Sequence, residues 1–383
     1  MLDGTRLRRV LVLAFSTATV STVVALAAVP AAGARVNAAA APRANPFVGI
    51  VSDETFEAVG SGGHSYLPNI EATGAGLMRQ QFFWDFLTHG QPAGQLNWTF
   101  LDRYMTATAA MGITVLPVLF GPPAQMTTAP AQGALRGSYP PRDPGAIGDF
   151  GAILARRYGP HGAFWAEYPG VPYHPITAWQ IWNEPNLPVY WRPRPNAAAY
   201  VQMLRLASQR IKAVDPHAEI VTAGLPNSHI RDAVPLFRYI KQLYRAGLAK
   251  AVDTVAVNGY AHTGRGVPKL LARIRRTINR LGGRRNALRI TEFGWADHGP
   301  ESHAGRYTSG SARQGPYIYQ ALRGLWKARK RLKLRGVVYY SWRDEPIYTG
   351  GKDFWGLHTG LLTINGTPKP ALQWFTNAIA SLR

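Results

Sequence analysis

The chain has 383 residues, 46% of them hydrophobic and 17% charged, which is enough apolar material for one large core and excludes disorder over most of its length. It contains no cysteine, so a disulfide framework and a thiolate metal site are both excluded and stability has to come from the core. A formal charge of +22 favours anionic partners such as cell-wall polymers, acidic polysaccharides, nucleic acid or lipid headgroups.

Arg6, Arg8 and Arg9 precede an apolar run from Val10 to Val29, and Ala32-Gly33-Ala34 offers an A-x-A-like cleavage site. This pattern predicts a secretory signal peptide over residues 1–34, and hence an extracellular protein. The alternative is a retained membrane anchor, because a run of about 20 apolar residues can span a bilayer. Arg35 to Asn45, Ala-rich and ending Pro-Arg-Ala-Asn-Pro, reads as an unstructured lead-in to a single domain over 46–383.

From Phe47 onward short apolar runs alternate with amphipathic segments, as repeated βα units of a parallel sheet do. Strands are expected at Phe47–Val51, Leu77–Gln81, Thr114–Phe120, Thr177–Trp182, Glu219–Thr222, Thr254–Val257, Leu288–Thr291 and Val337–Trp342. Helices are expected near Tyr66–Ala72, Asn97–Met111, Gly145–Arg157, Asn196–Val214, Ile230–Ala246, Val267–Leu281, Ala312–Lys330 and Pro370–Leu382. In the fourth of these, Asn196 can cap the start, Tyr200, Leu204, Ala207, Ile211 and Val214 form a stripe, and Asp215-Pro216 stops the helix. In Val267–Leu281, Lys269, Arg273, Arg276 and Arg280 line one face and Leu270, Ile274 and Ile278 the other, so a solvated helix face accounts for much of the charge. The run Lys327 to Arg335 is similar, and electrostatic retention on an anionic cell-wall polymer is the functional alternative. Eight strands, each followed by a helix, predict an α/β fold of the (β/α)8 TIM-barrel type; an open doubly wound sheet usually has fewer strands.

In such a barrel the chemistry sits where the strands end at the C-terminal face. Glu184, in Trp182-Asn183-Glu184-Pro185-Asn186, follows the fourth strand, and Glu292, in Thr291-Glu292-Phe293-Gly294-Trp295, ends the seventh. These strands face each other across the mouth. Cleaving a glycosidic bond needs one carboxyl group to protonate the leaving oxygen and another to attack, or to activate a water against, the anomeric carbon. If the two approach to about 5–5.5 Å there is no room for that water, and the second becomes a covalent nucleophile.

These residues resemble the clan A glycoside hydrolases, or 4/7 superfamily, over the whole predicted barrel. Trp-Asn-Glu-Pro-Asn at 182–186 is similar to the clan's acid/base motif and Thr-Glu-Phe-Gly-Trp at 291–295 to its nucleophile motif, in the manner of families 39 and 5. The resemblance implies a retaining glycosidase with Glu184 as acid/base and Glu292 as nucleophile. It further implies that Asn183 binds the sugar 2-hydroxyl, Tyr260 hydrogen-bonds the nucleophile, Arg79 pairs with it, and Trp342 is a platform beneath the sugar. Trp295 is a further candidate substrate contact, with Trp84, Trp191 and Trp355 in loops on the same side. Many clan members carry His-x-Tyr where this chain has Asn258-Gly259-Tyr260, so Asn258 is a departure that leaves sugar contacts there open. The third strand ends Val118-Leu119-Phe120, without the polar group seen in family 5.

The expected partner is a β-linked oligo- or polysaccharide. Hydrolysis by carboxylates implies no cofactor and no metal. A carbohydrate-binding barrel that has lost activity is the rival of another class. Nucleic-acid binding rests on charge alone, with no recognition motif. P-loop, zincin and serine-hydrolase signatures are absent.

Overall fold

The computed structural model describes residues 44–63, 65–91, 94–130, 136–301, 306–347 and 351–382. The expected signal peptide and nearly all of the lead-in lie outside these residues. Nine strands run in chain order: β1 (Asn45–Ile50), β2 (Ala75–Phe83), β3 (Thr114–Phe120), β4 (Ala178–Ile181), β5 (Glu219–Thr222), β6 (Leu225–Pro226), β7 (Thr254–Asn258), β8 (Ala287–Phe293) and β9 (Leu334–Tyr339). All pairings between them are parallel, and β1 pairs with both β2 and β9. Both β5 and β6 pair with β7, through Val221–Thr254 and Leu225–Val257, so they are two halves of one stave broken at Ala223-Gly224. The sheet therefore closes with eight staves, and the fold is the expected (β/α)8 barrel.

The helices follow their periodicity. In Ala197–Lys212 the Asn196 side chain accepts from the Ala199 N–H at 3.0 Å, and Tyr200, Leu204, Ala207 and Ile211 are buried. The helix expected from Ile230 instead spans Leu236–Arg245, since Pro235 disfavours helical backbone at the residue before it. In Gly266–Arg280 the basic side chains at 269, 273, 276 and 280 are exposed, but the inward face is Val267, Leu271, Ile274 and Ile278, with Leu270 half-buried. Arg275 is buried there as well, its guanidinium donating to the Asn286 carbonyl at 2.9 Å.

Inside the barrel, strand alternation stacks two layers. Leu77, Leu116, Val221, Ala256, Val338 and Tyr340 form a small apolar cluster of their own, with Ala178 packed against it. Two residues further along their strands stand Arg79, Gln180 and Asn258, so a polar layer lies directly above the apolar one, toward the strand ends. The outward-facing residues pack against the helices in a much larger core that includes Met78, Trp179, Ile181, Val255, Val257 and Tyr339.

Candidate active site

The polar layer converges on one guanidinium. Arg79 on β2 is 2% exposed and donates in three directions: Nε to Gln180 Oε1 at 2.7 Å, Nη1 to Glu292 Oε1 at 3.0 Å, and Nη2 to Asn183 Oδ1 at 3.0 Å. A planar fork of five N–H donors can hold three partners at once, two from β4 and the turn after it and one from β8. Gln180 is itself fixed, its Nε2 donating to the Thr222 carbonyl at 3.0 Å. Sequence reasoning missed Gln180, although an amide inside an otherwise apolar strand was the available signal.

Glu292, near the end of β8, is 2% exposed. Its second oxygen accepts from the Tyr260 hydroxyl at 2.8 Å, so both oxygens have donors. Tyr260 is held in turn by an aromatic wall, with the Trp355 and Tyr307 rings 4.8 and 5.7 Å away.

Glu184 is 5% exposed and sits in the turn that follows β4. That turn carries two residues at positive φ, Trp182 at 72° and Glu184 at 39°, a region that costs an L-residue energy and persists only where the surroundings enforce it. Two side chains enforce it here. The Trp182 indole N–H donates to the Tyr190 carbonyl at 2.6 Å, and Asn186 Nδ2 donates to the carbonyls of Pro226 and Val234, each at 3.0 Å. Glu184 Oε1 accepts from Asn258 Nδ2 at 2.6 Å, while Asn258 Oδ1 accepts from Thr291 Oγ1 at 2.9 Å. Asn258 is also the register partner of Glu292 across β7 and β8. The two carboxyl groups thus stand at the same end of the barrel, each tied to a neighbour of the other.

Asn183 is fully buried, with Oδ1 taken by Arg79 and Nδ2 without a hydrogen-bond partner. Trp342 is 1% exposed, and its Nε1 also lacks a partner. Trp295 departs from the expectation of a substrate contact. It is fully buried, its N–H is spent on the Ala261 carbonyl at 2.7 Å, and its ring packs against Phe293 and Tyr317, so it is a core residue. Trp191 likewise packs between Trp182 and Tyr200, and Trp84 stacks on Phe150 at 4.9 Å.

Other acids in these loops have local partners. Asp53 accepts from Gln80 Nε2 at 3.0 Å, Glu345 from the Tyr340 hydroxyl at 2.6 Å, and Asp344 from Lys369. Burial pushes Glu54 up to about 7, with Asp53 and Glu345 adding to the rise and Arg343 opposing it.

The barrel is shared with solved structures. A β-xylosidase from Caulobacter crescentus CB15 matches with a TM-score of 0.58 and 18% identity, over 86% of this chain and 67% of its own. A GH39 enzyme from Xanthomonas axonopodis pv. citri matches at 0.60 and 19%, over 86% and 65%. A glycoside hydrolase family 5 mannosidase from Rhizomucor miehei matches at 0.54 and 14%, over 87% and 92%. Likeness at this identity establishes the fold. The chain spans about two thirds of the length of the first two proteins. No protein-family model and no curated protein sequence matches the chain.

Proposed function

We propose that the protein is a secreted, retaining glycoside hydrolase that cleaves β-linked glycosidic bonds by double displacement. The observation that carries this is the single guanidinium of Arg79 bonded both to Glu292 and to Asn183, the residue next to Glu184. It fixes one carboxyl group by charge and hydrogen bond and orients the loop that presents the other. The neighbours of this fold, described as a xylosidase and a mannosidase, support the same class of reaction.

In the first step Glu292 attacks the anomeric carbon as its bond to the leaving oxygen breaks, and Glu184 gives its proton to that oxygen. Glu184 Oε1 accepts from Asn258 Nδ2, which holds the carboxyl in place for that transfer. The products are a glycosyl ester on Glu292 and the free leaving alcohol. In the second step Glu184 takes a proton from water, the resulting hydroxide attacks the same carbon, and Glu292 leaves as carboxylate. The unpartnered Asn183 Nδ2 is a donor suited to the sugar 2-hydroxyl, a bond that strengthens as charge develops. No kinetic step needs a cofactor.

Secretion rests on the signal-like segment at 1–34, and N-terminal sequencing of the exported protein is expected to find the mature chain beginning near residue 35. Hydrolysis of a panel of aryl β-glycosides and β-linked polysaccharides tests the activity. Glu184→Gln is expected to slow the wild-type rate by about 10²–10⁴-fold, and Glu292→Ala to abolish it. A first-formed product of inverted anomeric configuration, or full activity of Glu292→Ala, would refute the assignment. A protein that binds these polysaccharides and hydrolyses none of them would be the inactive barrel instead.

A further inference from the structure

Two histidines and a set of carboxylates come together from the loops after β8 and β9. We propose that His298, Asp344 and His358 form a binding site for a divalent transition-metal cation with zinc-like ligand preferences, clasping the loop after β8 to the loop after β9.

One ligand atom from each of the three residues lies within 4.8 Å of the other two. Ligands around a tetrahedral zinc at about 2.0–2.1 Å stand about 3.3 Å apart, so binding requires the three to close by up to about 1.5 Å. His298, whose side chain is 59% exposed, can make that movement. The two imidazole rings already face each other with centroids 4.1 Å apart.

Each imidazole also carries the support found behind metal-ligating histidines. His298 Nδ1 is 2.8 Å from Asp297 Oδ1, and His358 Nε2 is 2.6 Å from Asp353 Oδ1. A carboxylate on one ring nitrogen fixes the tautomer and turns the other nitrogen, here His298 Nε2 and His358 Nδ1, into the ligand. Room for the His358 ring is made by Gly299, where a Cβ would collide with its Cδ2 and where φ is +90°.

The charges suit a cation. Asp297, Asp344 and Asp353 supply three negative charges, and the Lys369 ammonium lies 2.7 Å from both Asp297 and Asp344. Lys369 Nζ lies 2.8 and 2.7 Å from the two Asp344 oxygens and the Gly360 N–H donates to Oδ1 at 2.9 Å, and a carboxylate with about four lone-pair directions still has one to offer a metal. Two imidazoles, one carboxylate and a water complete a tetrahedron that favours zinc-like ions over Ca²⁺ or Mg²⁺, which prefer oxygen ligands alone.

The test uses the full chain without an affinity tag, stripped of metal with a chelator. Titration calorimetry with ZnCl2 is expected to give one-to-one binding, and saturating Zn²⁺ to raise the thermal midpoint, as any ligand of the folded state does. His298→Ala, at an exposed position that the barrel does not need, and His358→Ala are expected to lose that rise. Asp353→Asn is expected to weaken Zn²⁺ binding by about 10–100-fold, the usual effect of removing a carboxylate behind a ligating imidazole. Absence of binding at millimolar Zn²⁺, unchanged binding in both histidine variants, or Ca²⁺ binding as tight as Zn²⁺ would each overturn the proposal.

Discussion

Glu54 and Asn258 show how single residues at this mouth are set by their surroundings. Glu54 lies in the first turn of the short helix Asp53–Gly60, and its buried Oε1 has no hydrogen-bond partner. Burial raises its carboxyl to about 7 in the folded chain from an ordinary 4.5, so the folded state holds this proton more tightly than the unfolded one. A raised carboxyl contributes stability that is complete below the unfolded value and is lost as pH rises through the folded value. Urea unfolding at pH 5 and pH 8 is therefore expected to show a fall in stability that Glu54→Gln removes; an equal fall in both proteins would contradict this account. Asn258 was a departure from the resemblance, and its contacts give it a definite place. It spends its amide on Glu184 and its carbonyl on Thr291.

The strands were legible in the sequence because each stave carries a run of apolar residues bounded by polar ones. β3 and β5 match their expected limits. The last strand runs Leu334–Tyr339, three residues earlier than expected, because Tyr340 and Trp342 continue the backbone bonding beyond the ladder, to Phe293 and Val51. The helix Asp53–Gly60 was not legible, since eight residues show too little periodicity to separate a helix from a loop. The carboxyl pair was legible from its motifs, whereas the meeting of His298, Asp344 and His358 was not, because loop geometry alone brings them together. The break between β5 and β6 could not be read either, and it has a function at this scale. A Cβ at Gly224 would run into Asn258 Oδ1 and Thr291 Oγ1, the pair that orients the donor on Glu184. Gly224→Ala is expected to lower kcat by about 10²-fold, the scale of an ångström displacement at a reacting group, while changing KM little. An active Gly224→Ala enzyme would separate Asn258 from the chemistry.

Across the whole molecule the excess positive charge is carried outward. Lys269, Arg273, Arg276 and Arg280 on one helix, and Lys327, Lys330, Arg331, Lys333 and Arg335 on and after another, are exposed. Arg273 is partly engaged, its guanidinium 4.2 Å from the Phe237 ring. Retention on an anionic polymer is accordingly proposed to be electrostatic and salt-sensitive, since exposed charges are screened beyond about 10 Å at 0.1 M salt. Elution from a polyanionic matrix is expected to need less salt after Lys269→Glu, Arg276→Glu and Arg280→Glu together. Unchanged elution would leave the helix faces as solvation alone.

A second charge network closes the barrel at its other end. Glu219, at the start of β5, accepts from Thr254 at 2.6 Å and pairs with Arg289 at 3.2 Å and Arg335 at 2.9 Å. Burial works to raise its carboxyl, but these partners outweigh it and hold it below the ordinary 4.5. A depressed carboxyl contributes stability that is present above the unfolded value and fades as pH falls through the folded one, so Glu219→Gln is expected to flatten acid unfolding below about pH 4.5. Arg289 and Glu292 are three residues apart on β8, which is about 10 Å of strand. Substitutions that far apart without shared partners combine additively. Tolerance to acid could therefore be re-engineered at the base of the barrel by selection for folding alone, leaving turnover at the rim as an untouched trait.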